Sequence, residues 1–287
     1  MSEKSKQQKK KSWFRRLFAK PPVVPVIRLT GPIGMATPLN PGINLANSAD
    51  VIERAFEEKK AKAVAVVINS PGGSPVQSML IFKRLRALAE ENDKKIYVFA
   101  EDVAASGGYF IALAGDEIYA DPSSIIGSIG VIASGFGFDQ AIEKLGIDRR
   151  VYTAGEKKMT LDPFKPENPE DVARIKDLQK DIHETFKNVV LSRREEKLKS
   201  EDLFTGEFWT GVKAKELGLI DGLGDVRSKM IEEFGSEVEL KLVKPKKGLF
   251  GRSQQQAVEL LLGGQPGFTD QALSTLEARA LWARYGL

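Results

Sequence analysis

The sequence predicts an α/β fold with parallel strands, and three observations predict it. A continuous apolar run, Ala63-Val64-Ala65-Val66-Val67-Ile68, has the pattern of a strand buried on both faces. It ends in a glycine turn, Asn69-Ser70-Pro71-Gly72-Gly73, and apolar residues at helical spacing follow from Val76 to Leu88. The unit then repeats as strand-like Ile96 to Ala100, the turn Ala104-Ala105-Ser106-Gly107-Gly108-Tyr109, and a short apolar helix from Phe110 to Ala114. Such alternation places functional loops at the carboxyl ends of the strands, so both glycine turns are expected on one edge of the sheet.

The other elements follow in order. Val23 to Leu29 reads as an entry strand, with Pro25 favouring an edge. A Gly/Pro/Asn-rich loop spans Gly31 to Asn44, and Ser48 is the expected cap of a helix holding Val51, Ile52, Ala55 and Phe56. Beyond the hexapeptide, Glu117 to Ala120 reads as a short strand. Gly127-Ser128-Ile129-Gly130-Val131-Ile132 and a strand Arg150-Val151-Tyr152-Thr153 come next. The latter leads into Ala154-Gly155-Glu156-Lys157-Lys158-Met159-Thr160.

Asn168-Pro169-Glu170-Asp171 combines a cap, a proline at the first helical position and first-turn acids, and predicts a long helix to about Lys197. Its stripe is Val172, Ile175, Leu178, Ile182, Phe186, Val189 and Val190, with His183 beside it as a partly buried structural residue. Smaller helices are expected in Thr205 to Leu219 and Leu223 to Phe234. Lys244-Pro245-Lys246-Lys247 opens a basic linker, and Asp270 to Tyr285 has the spacing of a terminal helix that docks on its own body or on a neighbouring subunit. The expected boundaries are 1–22 for a basic amphipathic or disordered tail, 23–243 for the main domain, and 244–287 for the linker and C-terminal helix.

Composition narrows the chemistry. The 287 residues are 42% hydrophobic and 29% charged, ordinary for a soluble globular protein. The absence of cysteine removes a disulfide framework, thiol catalysis and thiolate-held metals. A single histidine, His183, removes a His-cluster metal site. Neither cofactor nor metal is expected.

The net charge of +4 is unevenly placed. The first twenty residues carry +7 and the remainder −3, so a nucleic-acid-binding core does not fit. Trp13, Phe14, Leu17 and Phe18 share one side of a helical wheel, among Arg15, Arg16 and Lys20. The stretch is too short and interrupted for a signal peptide or a membrane span. Residues 9–20 suit peripheral contact with an anionic membrane surface, and a solubilising tail is the other reading.

Ser106 stands where a strand turns into a helix, with an exposed hydroxyl, free backbone N–H groups beside it and the positive end of a helix dipole. Attack on a carbonyl needs those features, and it needs a base. With no cysteine and a poorly placed histidine, the base must be a lysine or a carboxylate. In Lys157-Lys158, one ammonium can depress the pKa of the other.

Four segments together resemble the signal peptide peptidase family of serine proteases, in its short form with one catalytic domain. They are Asn69-Ser70-Pro71-Gly72-Gly73, Ala104-Ala105-Ser106-Gly107-Gly108-Tyr109, Gly127-Ser128-Ile129-Gly130-Val131 and Gly155-x-x-Lys158, in that family's order and approximate spacing. The resemblance spans Val23 to Phe234. It implies a Clp/crotonase-like superhelix of strand–strand–helix units with a long helix after the catalytic lysine. It also implies a serine endopeptidase in which Ser106 is the nucleophile and Lys158 the general base, with Ser128 orienting the lysine amine. Gly107, with Gly73 or Gly72, would supply the oxyanion-hole N–H groups. The resemblance further implies a homo-oligomeric ring, a dyad open to completion between subunits, and peptide substrates that are extended and apolar, such as signal peptides.

Many members of that family carry an amino-terminal membrane anchor, whereas this chain has a basic segment in that place. A cytoplasmic protein resting on the inner membrane surface is therefore expected. Two other readings compete. A crotonase-type acyl-CoA enzyme would use Glu101 and Asp102 as its acid–base carboxylates, and a non-catalytic membrane-associated scaffold would work through the long helix and the tails.

Overall fold

The computed structural model describes residues 21–35, 42–155, 157–200, 202–245, 275–276 and 279–286. The tail through residue 20 and most of the linker lie outside the described residues, so the membrane-contact expectation for 9–20 falls there too. Eight strands form one sheet among the described residues. Its order is β6-β5-β3-β2-β1-β8, with β4 paired to β3 and β7. The strands are β1 (Val23–Thr30), β2 (Ala63–Ser70), β3 (Lys95–Ala105), β4 (Glu117–Ala120), β5 (Ile125–Gly127), β6 (Phe208–Thr210), β7 (Gly222–Leu223) and β8 (Glu239–Leu242). All pairings are parallel except β5 with β6. The predicted α/β architecture and Clp/crotonase-like class are therefore what this chain has.

Strand alternation feeds two cores. Ile27, Leu29, Val64, Val66, Ile68, Ile96 and Val98 face the larger one. There they meet α1 (Leu45–Glu57), α2 (Pro75–Asn92), the short α3 (Gly107–Ala112) and the end of α5 (Pro169–Arg194). The opposite residues, Val24, Val26, Ala65, Val67, Tyr97 and Phe99, pack on Met230 of α7 (Val226–Phe234). Burial on both faces explains why β2 reads as an unbroken apolar run.

Several expectations need correction. Asn44, not Ser48, caps α1, through a reciprocal pair of bonds with Asn47; Ser48 lies one turn inside the helix. Pro25 is not on an edge, because β8 covers β1. Pro25 is tolerated because the ladder with β2 begins only at Val26. Strand β3 runs on through Ala105, so half of the hexapeptide's small residues belong to the sheet and not to a turn. Arg150 to Thr153 form no strand: they are exposed and pair with nothing among the described residues. The long helix ends at Arg194, followed by one 3-10 turn, Glu195–Lys197. Only its last third is buried, at Phe186, Val190 and Arg194, while Leu178 and Ile182 of the predicted stripe face solvent. The helices Gly211–Glu216 (α6) and α7 occupy the two regions expected for them.

Candidate active site

Ser106 sits at the junction of β3 and α3 with φ 52° and ψ −122°. A non-glycine residue there carries about 1–3 kcal/mol of backbone strain, which the surroundings must offset. They hold it from three sides. Its N–H donates to the Gly127 carbonyl at 2.8 Å, and its own carbonyl accepts from Phe110 N–H at 2.9 Å. On the third side Gly72 approaches so closely that a Cβ there would lie 2.7 Å from the Ser106 Cβ. The elbow lifts the half-buried hydroxyl out of the sheet edge, where it has no hydrogen-bond partner among the described residues.

The strand end is set by a register shift. Ile68 pairs with Ala100, yet Ser70 pairs with Ala104, so Glu101 to Val103 bulge. Asn69 bridges the bulge, donating to the Asp102 carboxylate and accepting from Val103 N–H. Glu101 is paired with Arg28 at 2.6 Å. Both carboxylates named for the acyl-CoA alternative are thus occupied by neighbours along the strand.

The glycine loop after β2 is pinned by a bridge in which Ile33 N–H donates to Gly72 and the Ile33 carbonyl accepts from Ser74 N–H, each at 2.8 Å. Gly72 N–H donates to Ser70 Oγ at 3.3 Å. That leaves the N–H groups of Gly73 and Gly107 without an acceptor among the described residues. They are close neighbours: a Cβ on Gly107 would lie 3.4 Å from the Gly73 nitrogen. Two free donors beside one exposed hydroxyl form a cradle for an anionic oxygen. Between the two glycines that sequence reasoning left open, only Gly73 keeps its N–H free.

Ser128 is brought to the same place by β5. The Ala105–Gly127 register sets it opposite Ser106, at φ 53° and buried. Its N–H donates to the Glu207 carbonyl at 2.7 Å, and His183 contacts the neighbouring Ile129 carbonyl at 3.2 Å. His183 is half-buried and structural, as expected.

Lys158 is not brought in. It lies on an exposed segment with its backbone N–H on the Gly155 carbonyl, and its ammonium has no partner among the described residues. Lys157 is exposed as well. Both belong to an arm, residues 131–168, that leaves the body after Ser128 and returns at α5. Phe136, Phe138 and Phe164 stack in series along it, and Arg149 caps Phe164 at 4.7 Å while pairing with Asp162. Ile132, Leu145, Ile147 and Tyr152 stay exposed, Tyr152 at 91%. One residue that sequence reasoning missed does reach the site. Tyr285, near the chain end, directs its hydroxyl at Ser128 Oγ, 3.3 Å away. Its only signal was an aromatic at the end of an apolar helical pattern. No group of residues suited to a metal ion occurs among the described residues.

Comparison with known proteins converges on this region. Residues 89–241 match the model of peptidase family S49, and residues 44–126 match that of Clp protease. Proteins named Na(+)/H(+) antiporter NhaA in Brucella abortus and Brucella melitensis are 52% identical over 285 residues. That is 95% of this chain but 38% of theirs. The chloroplastic serine protease SPPA of Arabidopsis thaliana is 31% identical over 220 residues, 75% of this chain and 32% of that protein. The chain thus spans about two fifths of the length of the Brucella relatives. No helix among the described residues is long and apolar enough to cross a membrane.

Proposed function

The chain belongs to peptidase family S49, and from that premise we propose that it is a serine endopeptidase working through Ser106 and Lys158 on short, extended, apolar peptides, signal peptides among them. The observation that carries the reading is the strained Ser106 elbow facing the two unused N–H groups of Gly73 and Gly107.

In this reading Ser106 Oγ attacks the scissile carbonyl carbon as neutral Lys158 Nζ takes its proton. The carbonyl oxygen becomes an oxyanion held by Gly73 and Gly107 N–H, each donor contributing about 2.7–4 kcal/mol in the transition state. The C–N bond then breaks, Lys158 returns the proton to the leaving amine, and an acyl-enzyme remains on Ser106. Water, deprotonated by Lys158, attacks that ester and releases the second product. Ser128 Oγ orients the lysine amine. An extended substrate fits a sheet edge whose glycine loop leaves backbone donors free.

The lysine arrives from a second copy of the chain. Two observations support this: Lys158 has no partner of its own, and the arm bearing it exposes Ile132, Leu145, Ile147 and Tyr152. A heterologous contact of that kind closes into a homo-oligomeric ring. Residues 9–20, basic and aromatic, place the ring against the anionic inner surface of the cytoplasmic membrane.

The test is covalent labelling. Incubation with a fluorophosphonate should add the probe's mass to Ser106, and Ser106→Ala and Lys158→Ala should each lose both labelling and peptide cleavage. Full activity in either variant would sink the dyad.

A further inference from the structure

The chain's last described residues lie on the candidate site. Residues 279–283 are helical, and Tyr285 follows them at 8% exposure. Its ring packs on Val103 and Ala105 at the end of β3 and meets Phe208 of β6 edge-on at 5.1 Å. Ile125 and Trp282 complete that cluster, so the last helical turn is seated and not merely adjacent. The hydroxyl points inward, 3.3 Å from Ser128 Oγ and 3.5 Å from the Pro71 carbonyl. These two partners belong to the two loops that flank Ser106.

One phenolic hydrogen serves one acceptor at a time, and both distances are long for O–H···O bonds. Ring burial therefore holds the segment, and the hydroxyl decides what it covers. What it covers is the oxygen that, on the reading above, must orient a lysine amine. Lys158 meanwhile stands on the exposed arm without a partner.

We propose that the C-terminal segment is a built-in competitor for the site, in which the Tyr285 phenol stands at Ser128 in place of the Lys158 amine until the lysine-bearing arm displaces it. The proposal rests on the catalytic reading of Ser106, Ser128 and Lys158. The segment is seated without that lysine, so the described conformation is the closed one. A docked tail lowers the competent fraction of sites and slows every step at Ser106 by that fraction.

The experiment uses the full chain, its Tyr285→Ala and Tyr285→Phe variants, and a synthetic peptide of residues 279–287. Two readouts are taken: the rate of fluorophosphonate labelling at Ser106, and amide hydrogen exchange over residues 103–106 and 125–129. If the tail is docked nine-tenths of the time, Tyr285→Ala labels about tenfold faster than the parent chain. It also loses exchange protection in both segments, and added peptide restores both. Tyr285→Phe keeps the ring and the protection, and labels faster than the parent because Ser128 is freed. Unchanged labelling and exchange in Tyr285→Ala, or slower labelling with the fold intact, would overturn the proposal while leaving the catalytic reading standing. Failure of Ser106 to label in any variant overturns the catalytic reading and the competition with it, even if exchange still reports docking.

Discussion

Ser106 gives its backbone N–H to the Gly127 carbonyl at 2.8 Å, and that bond ties the strand ending at the nucleophile candidate to the strand delivering Ser128. Gly72 presses on the same elbow from the other side. A Cβ at Gly72 would lie 2.7 Å from the Ser106 Cβ and 2.9 Å from the Gly107 nitrogen, at a φ of 103° that side chains rarely adopt. Gly72→Ala must therefore push Ser106 and the Gly107 donor apart. Losing one oxyanion donor costs about 2.7–4 kcal/mol, so kcat on a fluorogenic peptide should fall about 100- to 1,000-fold. Circular dichroism should show the fold retained, and wild-type kcat in this variant would count against the cradle.

Tyr109 links the hexapeptide to the distal end of the domain. Its hydroxyl donates to the Leu219 carbonyl at 2.7 Å, with both groups buried, and that burial pushes the phenol's pKa up. Tyr109→Phe keeps the ring and orphans a buried carbonyl, at a cost of about 1–3 kcal/mol. Urea unfolding should show that loss as a lower midpoint at unchanged slope.

Asp221 predicts how the fold responds to acid. Burial works against its charge, but hydrogen bonds from Lys197 and Arg194 outweigh it and hold the carboxyl below its ordinary value. Arg194 is 3% exposed and pairs with Asp221 at 2.7 Å, and Ile118 N–H donates to the same carboxylate. A lowered folded-state pKa means this stabilisation is complete above the unfolded value of about 3.9 and is lost as pH falls through the folded value. The parent protein should lose stability below about pH 4. Asp221→Asn, which leaves Arg194 buried without its counter-charge, should lose about 3–5 kcal/mol at pH 7 and show a shallower acid slope. Thermal melts between pH 3 and pH 7 measure both; parallel pH profiles would rule out Asp221 as the source.

Legibility in the sequence followed how local each cause was. The glycine turns stood out because Gly72 and Gly73 hold positive φ against neighbouring backbone, a demand that glycine meets. The cap Asn168 and its proline marked α5 for the same local reason. The end of β3 did not stand out. Val103, Ala104 and Ala105 are small enough to pass for a turn, and their strand character comes from Ile125 to Gly127, twenty-odd residues on. Arg150 to Thr153 misled in the opposite direction, since alternation alone makes no strand without a partner. Tyr285 was invisible as a site residue because its relation to Ser128 spans 157 positions and depends on packing alone.

Whether Ser106 and Lys158 of one site come from two chains can be decided by mixing. If each site takes its serine from one copy and its lysine from the next, Ser106→Ala and Lys158→Ala chains are complementary. Unfolded together at equal amounts and refolded, half of the positions carry an intact serine and half of their neighbours an intact lysine. About a quarter of the sites are then complete. Cleavage should recover to about one quarter of the parent level, although neither variant cleaves alone. A dyad closed within one chain predicts no recovery at any ratio. Substituting Tyr152 and Ile147 by Ser on the exposed arm should abolish the recovery, because those side chains carry the contact that delivers the lysine. Size-exclusion chromatography of the same double variant should show the assembly shifted to monomer.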